Sequence, residues 1–212
     1  MTDFTDMLTG YRRFRETGWA HQRERWGELS EGQAPGVMVI ACSDSRVDPA
    51  QIFDTSPGQI FVVRNVAALV PPFETAPGHH GVSAALEFAV QVLNVGEIVV
   101  MGHGKCGGCK AALSQELKDA PPGEGGFIAN WIEMLDGARE TVVARFGDQR
   151  GREVERAMEQ EGVKVSLDNL RTFPCVRAKE RKGELKLIGS FFAISDGQLH
   201  LLDEDTGVFS PA

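Results

Sequence analysis

The sequence predicts an α/β fold: a central, mainly parallel sheet with flanking helices, an N-terminal helical arm and a C-terminal antiparallel hairpin. Three observations carry this. Short apolar runs at 37–42, 60–63 and 97–102 alternate with helical stretches, the order that builds a parallel sheet. The first run, Val-Met-Val-Ile-Ala-Cys, is apolar on both faces, as a central parallel strand is. The last part of the chain changes period: a strand over 185–194 leads through Asp196-Gly197, a hairpin signal, into a partner strand over 198–202.

Taken in order, Phe4, Leu8, Tyr11 and Phe14 recur at three- and four-residue spacing, which gives an arm helix one apolar face. Gly18 is expected to divide the arm (residues 1–30) into two helices, and its apolar face to pack on a partner subunit. The rest of the 212 residues form one domain with it. Gly32 to Gly36 is a loop before the first strand. Asp48-Pro49 opens a short helix through Phe53, and Ser56-Pro57-Gly58 turns the chain into the second strand, which ends at Arg64-Asn65. Residues 71–81 hold three prolines, two glycines and two histidines and read as a loop. The run from Ser83 to Leu93 is a helix apolar nearly all round, suited to burial on a sheet or in an interface. After the third strand a helix is expected from Gly107-Gly108 through Leu117, then a loop at 121–126 and helices over 127–146 and 148–172, closed by Pro174.

Net charge is 22 − 30 = −8 at a pI near 5.2, so no basic block exists to neutralise phosphates, and nucleic acid and anionic membranes are not expected partners. The first residues show no secretory signal, and no apolar run reaches the roughly 18 residues that span a bilayer, so a cytoplasmic location is expected. The four cysteines, 42, 106, 109 and 175, are too few for a disulfide scaffold; in a reducing compartment they serve as ligands or core residues.

Two of them carry chemistry. Cys42 ends the first strand, inside Cys42-Ser43-Asp44-Ser45-Arg46; His103 and Cys106 follow the third. Open parallel sheets bind ligands beyond the carboxyl ends of their strands, so the topology draws these residues towards one crevice. Two thiolates and an imidazole suit Zn2+, which prefers tetrahedral nitrogen and sulfur ligation and keeps a fourth position open when catalytic. Asp44, two residues from Cys42, can reach the metal or its water, and Arg46 can capture that carboxylate in a two-pronged bond. Zinc lowers the pKa of bound water from about 15.7 to about 7; two thiolates should leave it above the value of an all-imidazole site. Cys106-Gly107-Gly108-Cys109 also spells a dithiol, and a non-catalytic zinc or redox-sensing protein using Cys106 and Cys109 is one alternative. Cys109 is otherwise expected to be structural and Cys175 to sit in the core.

Cys42 to Arg46, Arg64-Asn65, the stretch from Gly78 to Phe88 and Gly102-His103-x-x-Cys106-Gly107-Gly108 together resemble the β-class carbonic anhydrases. The likeness resumes in Val165 to Leu170 and in the Phe191-to-Asp203 hairpin. The resemblance implies a lyase that interconverts carbon dioxide and bicarbonate by attack of zinc-bound hydroxide. It implies metal ligation by Cys42, His103 and Cys106 and a catalytic pair in Asp44 and Arg46. It also implies a homodimer with interface active sites, which can associate further into a homotetramer. The cleft residues resemble the plant-type branch: Gln33 matches a glutamine given to the partner's site, Phe61 a cleft aromatic, and the Gly107 N–H a substrate contact. Val66 and Leu86 are expected walls of a dry pocket, with Phe88 behind them where that branch carries tyrosine. Val39 and Ala41 stand where the bicarbonate-regulated branch has tryptophan and glycine. No regulatory bicarbonate pocket is therefore expected, and the fourth metal position should be open. His79 or His80 is a candidate proton shuttle. A hydrolase of carbon disulfide or carbonyl sulfide on the same scaffold is the other alternative.

Overall fold

A computed structural model describes residues 2–212, and the chain divides into two compact units, up to Ala34 and from Pro35 onward. The first unit carries α1 (Phe4–Phe14), one wide π turn over Arg15–Trp19, and α2 (Arg23–Glu31). A capping box between Asp3 and Asp6 starts α1, and no residue of either helix is buried. Gly18 lies inside the π turn rather than at the break; the chain leaves the helical region at Gln22 (φ −111°, ψ 27°). The ring of Phe14 meets Trp26 edge-on at 6.0 Å.

The second unit is built on six strands in the order β2-β1-β3-β4-β5-β6. They are β1 (Val37–Cys42), β2 (Ile60–Asn65), β3 (Glu97–His103), β4 (Lys186–Ala193), β5 (Gln198–Asp203) and β6 (Val208–Pro211). The first four run parallel, β5 pairs antiparallel with β4, and β6 pairs antiparallel with β5. The expected hairpin thus gains a third strand; β6 is four residues long and ends in a proline, too short for its period to stand out. Ala41 pairs with Met101 and Cys42 with Asn65, so the carboxyl ends of β1 and β3 lie side by side at the middle of the sheet.

Alternation sends Val39, Ala41 and Met101 into one core and Met38, Ile40, Ile98 and Val100 into a second. Each such fully buried large aliphatic side chain contributes roughly 1.5–3 kcal/mol. Between the strands lie α3 (Pro49–Ile52), α4 (Gly81–Glu87) with a π turn over Phe88–Val92, α5 (Gly107–Ser114), α6 (Gly126–Ile132), α7 (Asp136–Phe146), α8 (Arg152–Thr172) and α9 (Pro174–Arg181). Helix α5 stops short of Leu117, at a left-handed Gln115 (φ 58°). Pro174 closes α8 and also opens α9 as its first residue, where a missing N–H is harmless. In α9 the core position goes to Val176, and Cys175 is half-buried rather than enclosed. Helix α8 spans both cores, giving Val154 and Met158 to one and Val163, Leu167 and Leu170 to the other. It presses close on β3: a Cβ at Gly102 would come 2.5 Å from Val163 Cγ2.

Candidate metal centre

Beyond the paired ends of β1 and β3, the ligand atoms of Cys42, His103 and Cys106 lie within 4.8 Å of one another, and all three residues are buried. Cys109 is not a member of this group, although it is buried one helical turn beyond Cys106. His103 Nδ1 lies 3.0 Å from the carbonyl oxygen of Gly104, to which it donates as the protonated ring nitrogen, and this leaves Nε2 with a lone pair. Nε2 is buried without a hydrogen-bond partner. A buried orphan acceptor between two thiols is costly by itself and fits a soft or borderline metal ion.

Hydrogen bonding to Cys106 and burial push the Cys42 thiol up to about 12, and bonding to Cys109 pushes the Cys106 thiol up to about 12. Burial pulls His103 down, but the neighbouring Cys42 outweighs it and the net shift is upward. The two thiols therefore hold protons that a metal ion would displace, while His103 Nε2 offers its lone pair directly.

The loop after β1 is closed on itself. Asp44 Oδ1 accepts from the backbone N–H and Nε of Arg46 (3.0 and 2.9 Å), and Oδ2 accepts from Nη2 (2.6 Å). Those bonds hold the Asp44 carboxyl well below the usual carboxylate range. Arg64, from the end of β2, donates through Nε to the carbonyl of Cys42 (2.9 Å) and through Nη2 to that of Asp44 (2.7 Å). Sequence reasoning assigned Arg64 no such part; a cation ending a strand beside the motif was the available signal.

The N-terminus of α5 is set close to the turn after β2. Asn65 closes that turn by two bonds to the main chain of Leu69, both 2.8 Å, and Trp131 Nε1 donates to the carbonyl of Val66 (2.8 Å). A Cβ at Gly108 would stand 2.7 Å from Val66 Cγ1, so glycine permits this approach. Gly107 is exposed at the first position of α5.

The remaining site candidates lie elsewhere. Phe61 packs on the second core, and its ring meets that of Phe88 at 5.9 Å. Phe88 is 41% exposed, whereas Leu86 is enclosed in that core and offers no surface to a substrate. His79 and His80 are exposed; His80 Nε2 lies 2.9 Å from the carbonyl of Ala76. Gln33 belongs to the N-terminal unit and is exposed.

The profile of the family described as "Carbonic anhydrase" matches residues 37–199, more than three quarters of the chain. The chain belongs to the carbonic anhydrase family. A curated carbonic anhydrase of Pseudomonas aeruginosa is 36% identical over 198 residues, 93% of this chain and 87% of that protein. The solved β-carbonic anhydrase CcaA superposes with a TM-score of 0.90 at 30% identity, covering 99% of this chain and 92% of that one. One of two tetrameric β-carbonic anhydrases from Sordaria macrospora superposes with a TM-score of 0.82 at 28% identity, over 94% and 96% of the two chains. These likenesses mark the chain as a β-class carbonic anhydrase, and the donor cluster sits where the strand ends of that fold meet. Among the described residues, no helix is long and apolar enough to cross a membrane.

Proposed function

We propose that this carbonic anhydrase hydrates carbon dioxide reversibly with a zinc ion held by Cys42, His103 and Cys106. The observation that supports it most is the buried donor triad with His103 Nε2 unpartnered, next to a carboxylate already committed to Arg46. When bound, zinc supplies a Lewis acid that makes water a nucleophile near neutral pH.

The side chains do the rest. Gly104 fixes the His103 tautomer, so Nε2 faces the thiols. Arg46 keeps Asp44 ionised and turned on itself, which supports an open fourth ligand position. Asp44 Oδ1 already accepts two bonds and Oδ2 one, so Oδ2 retains acceptor capacity and can receive a proton of the reacting water and orient its lone pair at the carbon. The Gly107 N–H, at the start of an eight-residue helix, is one of the four donors that lack an intrahelical partner, and it can bond an oxygen of bicarbonate. Carbon dioxide is neutral and apolar, so its pocket needs dry walls, for which Val66, Phe61 and Phe88 are available. Val62, Val66, Phe88 and Val92 are exposed in the single chain (38%, 38%, 41% and 61%), which supports burial against a second copy. In that homodimer, open to pairing into a tetramer, Gln33 would serve the neighbouring site and the apolar face of α1 would pack on the partner. Four unpaired cysteines are consistent with a cytoplasmic location.

Stopped-flow hydration of carbon dioxide, with zinc measured on the same sample, is the test. Turnover that tracks zinc content supports the proposal. A zinc-loaded protein inactive on carbon dioxide but active on carbon disulfide or carbonyl sulfide sinks it.

A further inference from the structure

Glu159 lies in the middle of α8, 53 residues from the donor it touches. Its side chain is 2% exposed, and among the described residues it is the one buried acid. A carboxylate in an apolar layer persists only when its charge and lone pairs are met. Arg152, two helical turns earlier, meets the charge: Nη1 donates to Oε1 and Nη2 to Oε2, both at 3.0 Å. That two-pronged pair leaves further acceptor capacity, and Oε1 uses it to accept the backbone N–H of Cys106 at 3.2 Å.

The same peptide group is held from its other end. The N–H of Cys106 and the carbonyl of Lys105 belong to one peptide plane, and Arg46 Nη2 donates to that carbonyl at 3.0 Å. Lys105 sits in the left-handed region (φ 59°), a conformation that a lysine holds only when its surroundings enforce it. The plane joining His103's turn to Cys106 is thus clamped between Arg46, the partner of Asp44, and Glu159. Rotation of that plane would change the backbone angles on either side of it and swing Cys106 Sγ away from Cys42 and His103.

We propose that Glu159 is a positioning residue for the metal centre: anchored by Arg152, it fixes the Lys105–Cys106 peptide and so sets the place of the Cys106 sulfur. Through Arg46 the same peptide links the ligand turn to Asp44. The inference rests on the three-donor reading of the site.

The test compares wild type, Glu159→Gln and Arg152→Gln by zinc affinity in chelator competition, by thiolate-to-metal absorption bands of the cobalt(II)-loaded protein, and by thermal melting before loading. Gln at 159 keeps the shape but loses the charge and turns an amide towards Arg152. Zinc affinity should fall about 10- to 100-fold, the usual effect of a lost partner to a metal ligand, and the thiolate bands should shift. Arg152→Gln acts at a side chain that is 45% exposed, and should give a smaller loss of affinity with the same band shift. If Glu159→Gln does not fold, Arg152→Gln decides. Variants that melt as wild type does and match its affinity and bands overturn this inference alone. Wild type that takes up no zinc overturns the inference together with the reading of the site.

Discussion

The turn after β3 and the helix α1 both stand out in the sequence, one for its donors and one for its apolar stripe, and they end in opposite conditions. The turn is closed from all sides by its own chain: Arg46 on the Lys105 carbonyl, Glu159 on the Cys106 N–H, Gly104 on His103. In α1 the stripe is covered only in part, Phe14 meeting Trp26, and Phe4, Met7 and Tyr11 remain 70%, 62% and 56% exposed. A pattern fixes structure only where a partner is within reach. In the turn that partner comes from as far as Arg46, 59 positions away; in the N-terminal unit no described residue of α1 or α2 is buried.

The strongest way to break this contrast is to remove a donor. Cys42→Ser and Cys106→Ser should each abolish stoichiometric zinc binding and bring carbon dioxide hydration down to the buffer background, since a hard hydroxyl is a poor substitute for a thiolate. Metal analysis and stopped-flow rates on the purified variants check it. Cys109→Ser should keep both zinc and turnover, because Cys109 lies outside the donor triad. Retained zinc in Cys42→Ser, with loss in Cys109→Ser, would instead favour a site built on the Cys106-x-x-Cys109 dithiol.

Chelation should give the next largest effect, and its sign follows from the thiols. Cys42 and Cys106 are raised from 9.0 to about 12 when no metal is present. Below pH 9 their thiols are protonated whether the chain is folded or not. Between 9 and 12 the unfolded chain releases protons that the folded chain keeps, so stability falls as pH rises, by up to about 1.4 kcal/mol for each tenfold difference in proton affinity between the two states. The zinc-loaded protein has already given up those protons and should show no such fall. Urea melts at about pH 8 and about pH 10, on either side of the ordinary thiol value, measure the difference with and without chelator. In the acid range Asp44 behaves the opposite way. Its lowered value keeps it charged through any working pH, so a rate loss with a midpoint near neutrality would belong to the metal-bound water.

A smaller effect tests the support rather than the donors. Gly102→Ala places a methyl 2.5 Å from Val163 Cγ2, where β3 runs under α8. Overpacking of this kind costs roughly 1–3 kcal/mol, or about 2–4 °C of melting temperature per kcal/mol in a chain of this length. Because α8 also carries Glu159, a displaced α8 should weaken zinc binding as well as stability. A variant that loses stability with zinc affinity intact would show that the Cys106 clamp tolerates movement of its helix.

The same contrast explains what was legible in the sequence. Strands β1 and β3 are apolar along most of their length, so their period and their ends were plain, and the donors at those ends stood out by their chemistry. The Asp44–Arg46 pair was legible because it closes within three residues. Glu159 was not, because its partner Cys106 is remote, yet α8 held a signal: the stripe of Glu159, Val163, Ser166 and Leu170 is buried throughout and its first member is charged. A charge on an otherwise buried helix face needs a partner, and asking for one would have pointed at the site. Helix α9 was hidden by Pro174, which reads as an ending and serves as a beginning.

The smallest effect concerns α1. The helical run from α1 through the π turn to Gln22 buries no residue, and a helix without a packed face is only marginally stable in water. Its capping box, Asp3 Oδ1 accepting from Asp6 N–H at 2.9 Å and Asp6 Oδ2 from Asp3 N–H at 3.2 Å, contributes about 1 kcal/mol. Asp3→Ala should therefore melt much of α1 in dilute protein, while zinc content and turnover stay close to wild type. Amide exchange of residues 4–14 reads this directly. If a second copy covers Phe4, Met7 and Tyr11, protection of α1 should rise with protein concentration, and the Asp3→Ala loss should shrink in step. Protection that is independent of concentration would mean that α1 needs no second copy, and the proposed seat of the arm on a partner would fall.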